Sequence, residues 1–209
     1  MGTRGFRLSG VRFLDLRDVG DYAFAVGALV EHLDLKAYIL VGHSLGGAIV
    51  IATSTYFSER LAGLVLVDSG ARLRVGPEIM DVARKAAAGE EVAALDPRWT
   101  YAKTTPDAVV EQVLADRGEV NPDLVYRDWI ADDTFDFLNR MQHIAVPTLA
   151  IGGTEDPITP VRNHSFFNAR MPDCELQLIE NCGHWPMYEQ PERFDELIGQ
   201  FAGRIYASG

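Results

Sequence analysis

The chain alternates short apolar runs with longer stretches in which apolar positions recur every three or four residues. The first pattern predicts strand and the second predicts amphipathic helix. Residues 11–16 read as a strand. Residues 21–33 follow as a helix, with Asp21 near its start and Tyr22, Val26, Leu29, Val30 and Leu33 at helical spacing. Residues 38–41 form the next predicted strand, and a helix with small and apolar faces starts at Gly47 and runs to about Phe57. Leu61–Val67 (LAGLVLV) is almost wholly apolar, as a strand covered on both faces should be. Two more strands are predicted at 148–151 and 175–179, with helices at about 161–171 and 192–205. This alternation predicts an α/β fold around a mostly parallel sheet.

Residues 70–145 interrupt the rhythm. They read as consecutive helices with proline near the start and glycine past the end. Pro77 precedes a helix at 78–88 closed by Gly89. Pro106 opens one at 107–117 closed by Gly118, and Asn121-Pro122 opens one to about Ala131. A segment with Phe135, Phe137, Leu138 and Met141 leads back to the sheet. A crossover between parallel strands needs only about a dozen residues. The excess predicts a helical lid at 70–145, inserted into a sheet core made of 1–69 and 146–209.

Composition narrows the function classes. The 209 residues suit one domain with an insertion, and an apolar share of 47% suits a real core. The 19 basic against 30 acidic residues leave a net charge of -11, which argues against nucleic-acid and anionic-membrane partners. No window approaches the roughly 20 apolar residues of a membrane span. Residues 1–10 carry Arg4 and Arg7 without an apolar core, so no secretory signal is expected and the cytoplasm is the expected location. Cys174 and Cys182 bracket a predicted strand. Eight extended residues span roughly 26 Å, too far for a disulfide, so both are expected as thiols.

The candidate chemistry begins at Gly42-His43-Ser44-Leu45-Gly46. Alone, such a pattern arises by chance in about one chain in fifteen of this length. Here it lies between a predicted strand and a predicted helix, the context of a nucleophile elbow. A serine hydroxyl needs a base, and the base needs an orienting acid. Two loops after predicted strands supply them. One is Gly152-Gly153-Thr154-Glu155-Asp156-Pro157-Ile158-Thr159-Pro160, and the other is Glu180-Asn181-Cys182-Gly183-His184-Trp185. Loops at strand carboxyl ends build the sites of open parallel sheets. His32, His143 and His164 read as helix-end or solvated histidines. No cluster has metal-ligand spacing, no glycine pattern suggests a dinucleotide, and no cofactor is expected.

VGHSLGG at 41–47, GTEDPITP at 153–160 and GHWPMYEQPERF at 183–194 together resemble the α/β-hydrolase superfamily, from about Val11 to the C-terminus. The resemblance implies Ser44 as nucleophile, His184 as general base and then acid, and Asp156 as orienting acid. Glu155 is the rival for the last role; Asp156 fits better because the loop pattern puts Asp directly before the proline. It also implies an oxyanion donor at the Leu45 backbone N–H. The family places about three more strands ahead of the one matching 11–16, so the sheet is expected to be N-terminally shortened. Its usual second oxyanion loop is then missing. A backbone N–H at Arg17 or Asp18 is the expected substitute, with residues 11–16 paired directly to 38–41. An unpaired sheet edge would leave a homodimer open to this chain.

The implied activity is a serine esterase acting on small carboxylic esters, with a small molecule as its partner. His43, at the variable elbow position, is a candidate for substrate contact. Trp99, Trp129, Phe135, Phe137, Trp185 and Met187 are candidates for lining an apolar acyl pocket, with core packing as the alternative for each. A lactonase or carbon–carbon bond hydrolase would use the same triad. A binding protein with an impaired triad is the alternative from a different class.

Overall fold

Among the described residues four parallel strands form one sheet: β1 (Tyr38–His43), β2 (Leu61–Val67), β3 (Thr148–Gly153) and β4 (Cys174–Ile179), hydrogen-bonded in that order. The computed structural model describes residues 16–93 and 95–207. Apart from Leu16, the predicted strand at 11–16 lies outside the described residues, and so does its pairing with β1.

The side-chain period of two explains why β2 reads as a continuous apolar run. Leu64 and Leu66 face a cluster built with Ala48, Ile51 and Ala52 of α2 (Leu45–Tyr56) and Phe167 of α6 (Val161–Arg170). Val65 and Val67 face the opposite cluster, with Leu149 and Ile151 of β3 and Leu197 and Phe201 of α8 (Pro191–Ala207). Both faces are therefore covered by helices, the condition that makes a parallel strand apolar throughout.

Register decides where the loops meet. His43 pairs with Val67, Val67 with Ile151, and Gly153 with Ile179. The carboxyl ends of all four strands thus share one edge, and the residues that follow each strand gather there.

β2 and β3 pair directly although α3 (Pro77–Ala87), α4 (Asp107–Arg117) and α5 (Pro122–Thr134) lie between them in the chain. Gly89 and Gly118 stand at φ 75° and 59°, the left-handed region that ends a helix at glycine. The neck of this insertion is tied by an isolated bridge between Arg72 and Asp136 and by Phe137 N–H donating to Ala71 O at 2.7 Å. Several helix ends differ from expectation. α5 runs on to Thr134, α8 runs from Pro191 to Ala207, and α1 (Val19–His32) starts two residues early, because the Asp18 side chain caps it by accepting from Asp21 N–H. The two cysteines are free thiols.

The strand-to-helix turn after β1 depends on close backbone approach. A Cβ on Gly42 would lie 2.2 Å from Gly46 O, and one on Gly47 would lie 2.3 Å from the Ser69 hydroxyl oxygen. Gly46 itself meets nothing within 4 Å. The sequence pattern treats the flanking glycines alike, but only the first and the one after the motif are sterically required. We expect Gly47→Ala to cost about 1–3 kcal/mol in chemical denaturation through overpacking against Ser69. Gly46→Ala should be neutral or slightly stabilising, since alanine favours a helix.

Candidate active site

Ser44 occupies the turn between β1 and α2 with φ 53° and ψ -120°, a conformation that costs an L-residue strain of order 1–3 kcal/mol. Its surroundings fix it in place. Ser44 N–H continues the sheet ladder by donating to Val67 O at 3.0 Å, and Ser44 O accepts from Gly47 N–H and from the buried Ser69 hydroxyl at 2.8 Å. Leu45, the next residue, is the first of α2, so its N–H belongs to the unsatisfied first turn of a helix, where negative charge is favoured.

His184 and Asp156 arrive from the loops after β4 and β3. Nδ1 of His184 lies 2.8 Å from Asp156 Oδ2, and both residues are buried. Asp156 also accepts from Ile158 N–H at 2.7 Å and from the Thr159 hydroxyl. Burial pushes this carboxyl up. The hydrogen bond and charge of His184, with Thr159 and Ile158, outweigh it and hold the group at about 2. The rival Glu155 points elsewhere: its carboxylate accepts from Lys103 N–H at 3.0 Å. Among the described residues no hydrogen bond joins the Ser44 hydroxyl to the imidazole. Such contacts are often long without substrate and tighten when it binds.

The elbow and the imidazole are nonetheless neighbours. His43 Nε2 lies 2.7 Å from His184 O, and the two rings are 4.6 Å apart between centroids. Burial first, then the charge of His184, pushes His43 down to about 3, so it stays neutral and donates to that carbonyl. It packs on Trp185 as well, 5.1 Å between centroids. The sequence offered His43 as a substrate contact; in the structure its ring supports the His184 loop.

The other sequence candidates divide. Trp185 donates through its indole N–H to Thr100 Oγ1 at 3.0 Å and stacks near Tyr101, so it joins the insertion to the His184 loop. Phe135 and Phe137 stack on each other within the cluster under α2, and Met187 packs in the cluster on the opposite sheet face. Trp129 is half-buried on α5. Trp99, 45% exposed, lines a cavity of about 770 Å³ with Arg98, Tyr101, Lys103, Glu155 and Pro157, the last two flanking Asp156 in the chain. Arg17 N–H is occupied, donating to Asp21 Oδ2 at 2.9 Å, and Asp18 Oδ1 is occupied in capping α1.

Four residues escaped the sequence reading. Glu189 accepts from Gly183, Trp185 and Ala102 N–H groups and from the Thr105 hydroxyl, while Thr100 O accepts from His184 N–H. One carboxylate thereby ties the His184 loop to the insertion. Ser69 and Asp68 follow β2 directly and are fully buried. The strand-end rule that singled out Asp156 and His184 applies to Asp68 equally and could have found it. His164, expected in solvent, is fully buried on α6, with Nε2 3.0 Å from Thr159 O; burial pushes it down to about 4. The reason is steric: Gly152 leaves a space that the imidazole fills, since a Cβ there would meet its ring at 2.3 Å.

The fold brings together His and Asp side chains that are far apart in the sequence. Nitrogen or oxygen atoms of His43, Asp68 and His184 lie within 4.8 Å of one another, as do those of Asp68, Asp156 and His164. Each set includes one residue of the His184–Asp156 pair, and both belong to the polar network around it. No helix among the described residues is long and apolar enough to cross a membrane.

Residues 3–197 match the alpha/beta hydrolase family. An uncharacterized protein of Mycobacterium tuberculosis is 27% identical over 210 residues, covering 88% of this chain and 61% of its own length. The chain thus spans less than two thirds of that relative. A pimeloyl-[acyl-carrier protein] methyl ester esterase of Neisseria meningitidis is 28% identical, covering 87% of this chain and 74% of its own. Among solved structures, a thermophilic esterase is 30% identical with a TM-score of 0.76, over 91% of this chain and 75% of that one. With strand order, elbow and loop placement in agreement, the chain belongs to the alpha/beta hydrolase family.

Proposed function

We propose that the protein is a serine hydrolase of small carboxylic esters, working through an acyl-enzyme with Ser44, His184 and Asp156. The observation that carries this is the buried 2.8 Å His184–Asp156 pair beside a serine held at φ 53° on the shared strand edge. Ser44 Oγ attacks the ester carbonyl while His184 Nε2 takes its proton. Asp156 holds the Nδ1–H tautomer and stabilises the imidazolium that forms. The oxyanion draws on Leu45 N–H at the α2 N-terminus. Collapse breaks the carbon–oxygen bond to the alcohol, which leaves with the proton from His184. Water, deprotonated by the same imidazole, then releases the acid and frees Ser44. The esterases among the relatives support an ester substrate.

The test is a fluorophosphonate probe, followed by a chain-length series of p-nitrophenyl esters. We expect one adduct, on Ser44, and faster turnover of the acetate and butyrate than of the palmitate. A folded protein that takes no label would overturn the assignment in favour of a binding protein.

A further inference from the structure

Asp68 is a fully buried carboxyl at this edge, and neither the triad nor the Glu189 contacts use it. It is fully buried at the end of β2, at φ 39°. Oδ1 accepts from Gly153 N–H at 2.9 Å and lies 3.6 Å from His164 Nε2, whose proton goes to Thr159 O. Oδ2 has no hydrogen-bond partner. An ionised carboxylate with one buried oxygen unpartnered loses hydration that nothing replaces. A protonated one carries an O–H that needs an acceptor. An Asp68 oxygen lies within 4.8 Å of an Asp156 oxygen, and Asp156 is the anion of the pair with His184.

We propose that Asp68 is a neutral carboxylic acid that shares its proton with Asp156, so that it acts as a positioning residue for the His184–Asp156 pair. The inference rests on the triad reading above. The two carboxyls then carry one negative charge between them, as close acid pairs do. The ionisable groups around Asp68 agree with this, among them the buried Cys182 thiol, which burial keeps protonated and uncharged. His43 on the elbow and His164 on α6 are held neutral by burial, and Asp156 and Glu189 bring negative charge. His184 sits within 4.8 Å with its Nδ1 already given to Asp156. Burial first and the Asp156 charge second raise Asp68 well above the usual carboxylate range. A donor from Asp68 also lowers the basicity of Asp156, which keeps the His184 proton on the imidazole side of their bond.

Infrared difference spectra between wild type and Asp68→Asn at pH 8 test the protonation state without reference to activity. We expect the carbonyl stretch of a protonated acid in the wild type and its loss in the variant; its absence from the wild type overturns the proposal. With p-nitrophenyl butyrate, Asp68→Ala should lose roughly ten- to a hundredfold in kcat, as outer partners of orienting groups do. Its acid limb of kcat/KM against pH should move upward. Asp68→Asn, which offers an N–H where the acid offered O–H, should recover most of the loss with the limb unmoved. If Asp68→Asn instead moves the limb downward by about a unit, Asp68 is an anion in the wild type and the proposal fails. If no variant or wild type shows Ser44-dependent turnover, the triad reading fails, while the infrared band still decides this one.

Discussion

Ser44→Ala is expected to lower kcat on p-nitrophenyl butyrate by about 10⁶-fold with KM little changed, a loss of about 8 kcal/mol of transition-state stabilisation. The size follows from the division of labour proposed for Ser44, His184, Asp156 and the Leu45 N–H. On that proposal, His184 and Asp156 have no proton to move without a nucleophile, so the triad acts as one unit. Whatever rate remains comes from the Leu45 oxyanion donor and from binding, which in such sites leaves about 10³–10⁴ over water. His184→Ala should match Ser44→Ala, and the double variant should be no slower than either. Initial rates on folded, melt-checked protein measure this. A Ser44→Ala variant within tenfold of wild type would rule out covalent catalysis at this residue.

Asp132→Asn is expected to stabilise the protein at pH 8 by an amount on the order of 4 kcal/mol, a Tm rise of about 10 °C, and to do little at pH 4. Asp132 lies on α5, 6% exposed, with Oδ1 unpartnered. One turn earlier, Asp128 accepts from the Tyr22 hydroxyl at 2.6 Å, which ties α5 to α1. Burial first, then the Asp128 charge, raises Asp132 from 3.8 to about 7. Between these values the folded protein holds a proton that the unfolded chain has released. This group's contribution therefore falls as pH rises from about 4 to 7 and stays low above that. Asparagine cannot ionise, so the variant escapes the loss. Asp156, shifted down to about 2, acts in the opposite sense and costs stability only in strong acid. Asp68 shares the sign of Asp132, so some decline with pH persists in the variant, and the difference in melting temperature between the two proteins isolates Asp132. A difference that does not change between pH 4 and pH 8 would show that Asp132 is ionised without penalty.

Strands and most helices were legible because each obeys a local rule. The LAGLVLV run kept its bounds as β2, and the proline and glycine around 107–117 marked α4 at both ends. The α/β-hydrolase fold and the elbow followed from motif and context. Other features turn on contacts between distant segments. Asp18 moved the start of α1 by capping it. His164 moved from solvent into the interior because Gly152 leaves it room. Trp99 reads as a lid aromatic able to line an acyl pocket, and the path of the insertion sets it in a cavity with Glu155 and Pro157, the chain neighbours of Asp156.

By itself, then, the sequence determined the parallel α/β architecture and singled out Ser44, His184 and Asp156 as the candidates on which the proposed function rests, because period, turn chemistry and motif are properties of neighbouring residues. Only the tertiary structure decided which groups surround them: the β1–β2–β3–β4 register that places Asp68 under Asp156, the Glu189 clamp on the His184 loop, and the turn of His43 toward a backbone carbonyl. Protonation, hydrogen-bond partnership and burial depend on distances between segments up to 141 residues apart, and those distances exist only once the chain has packed.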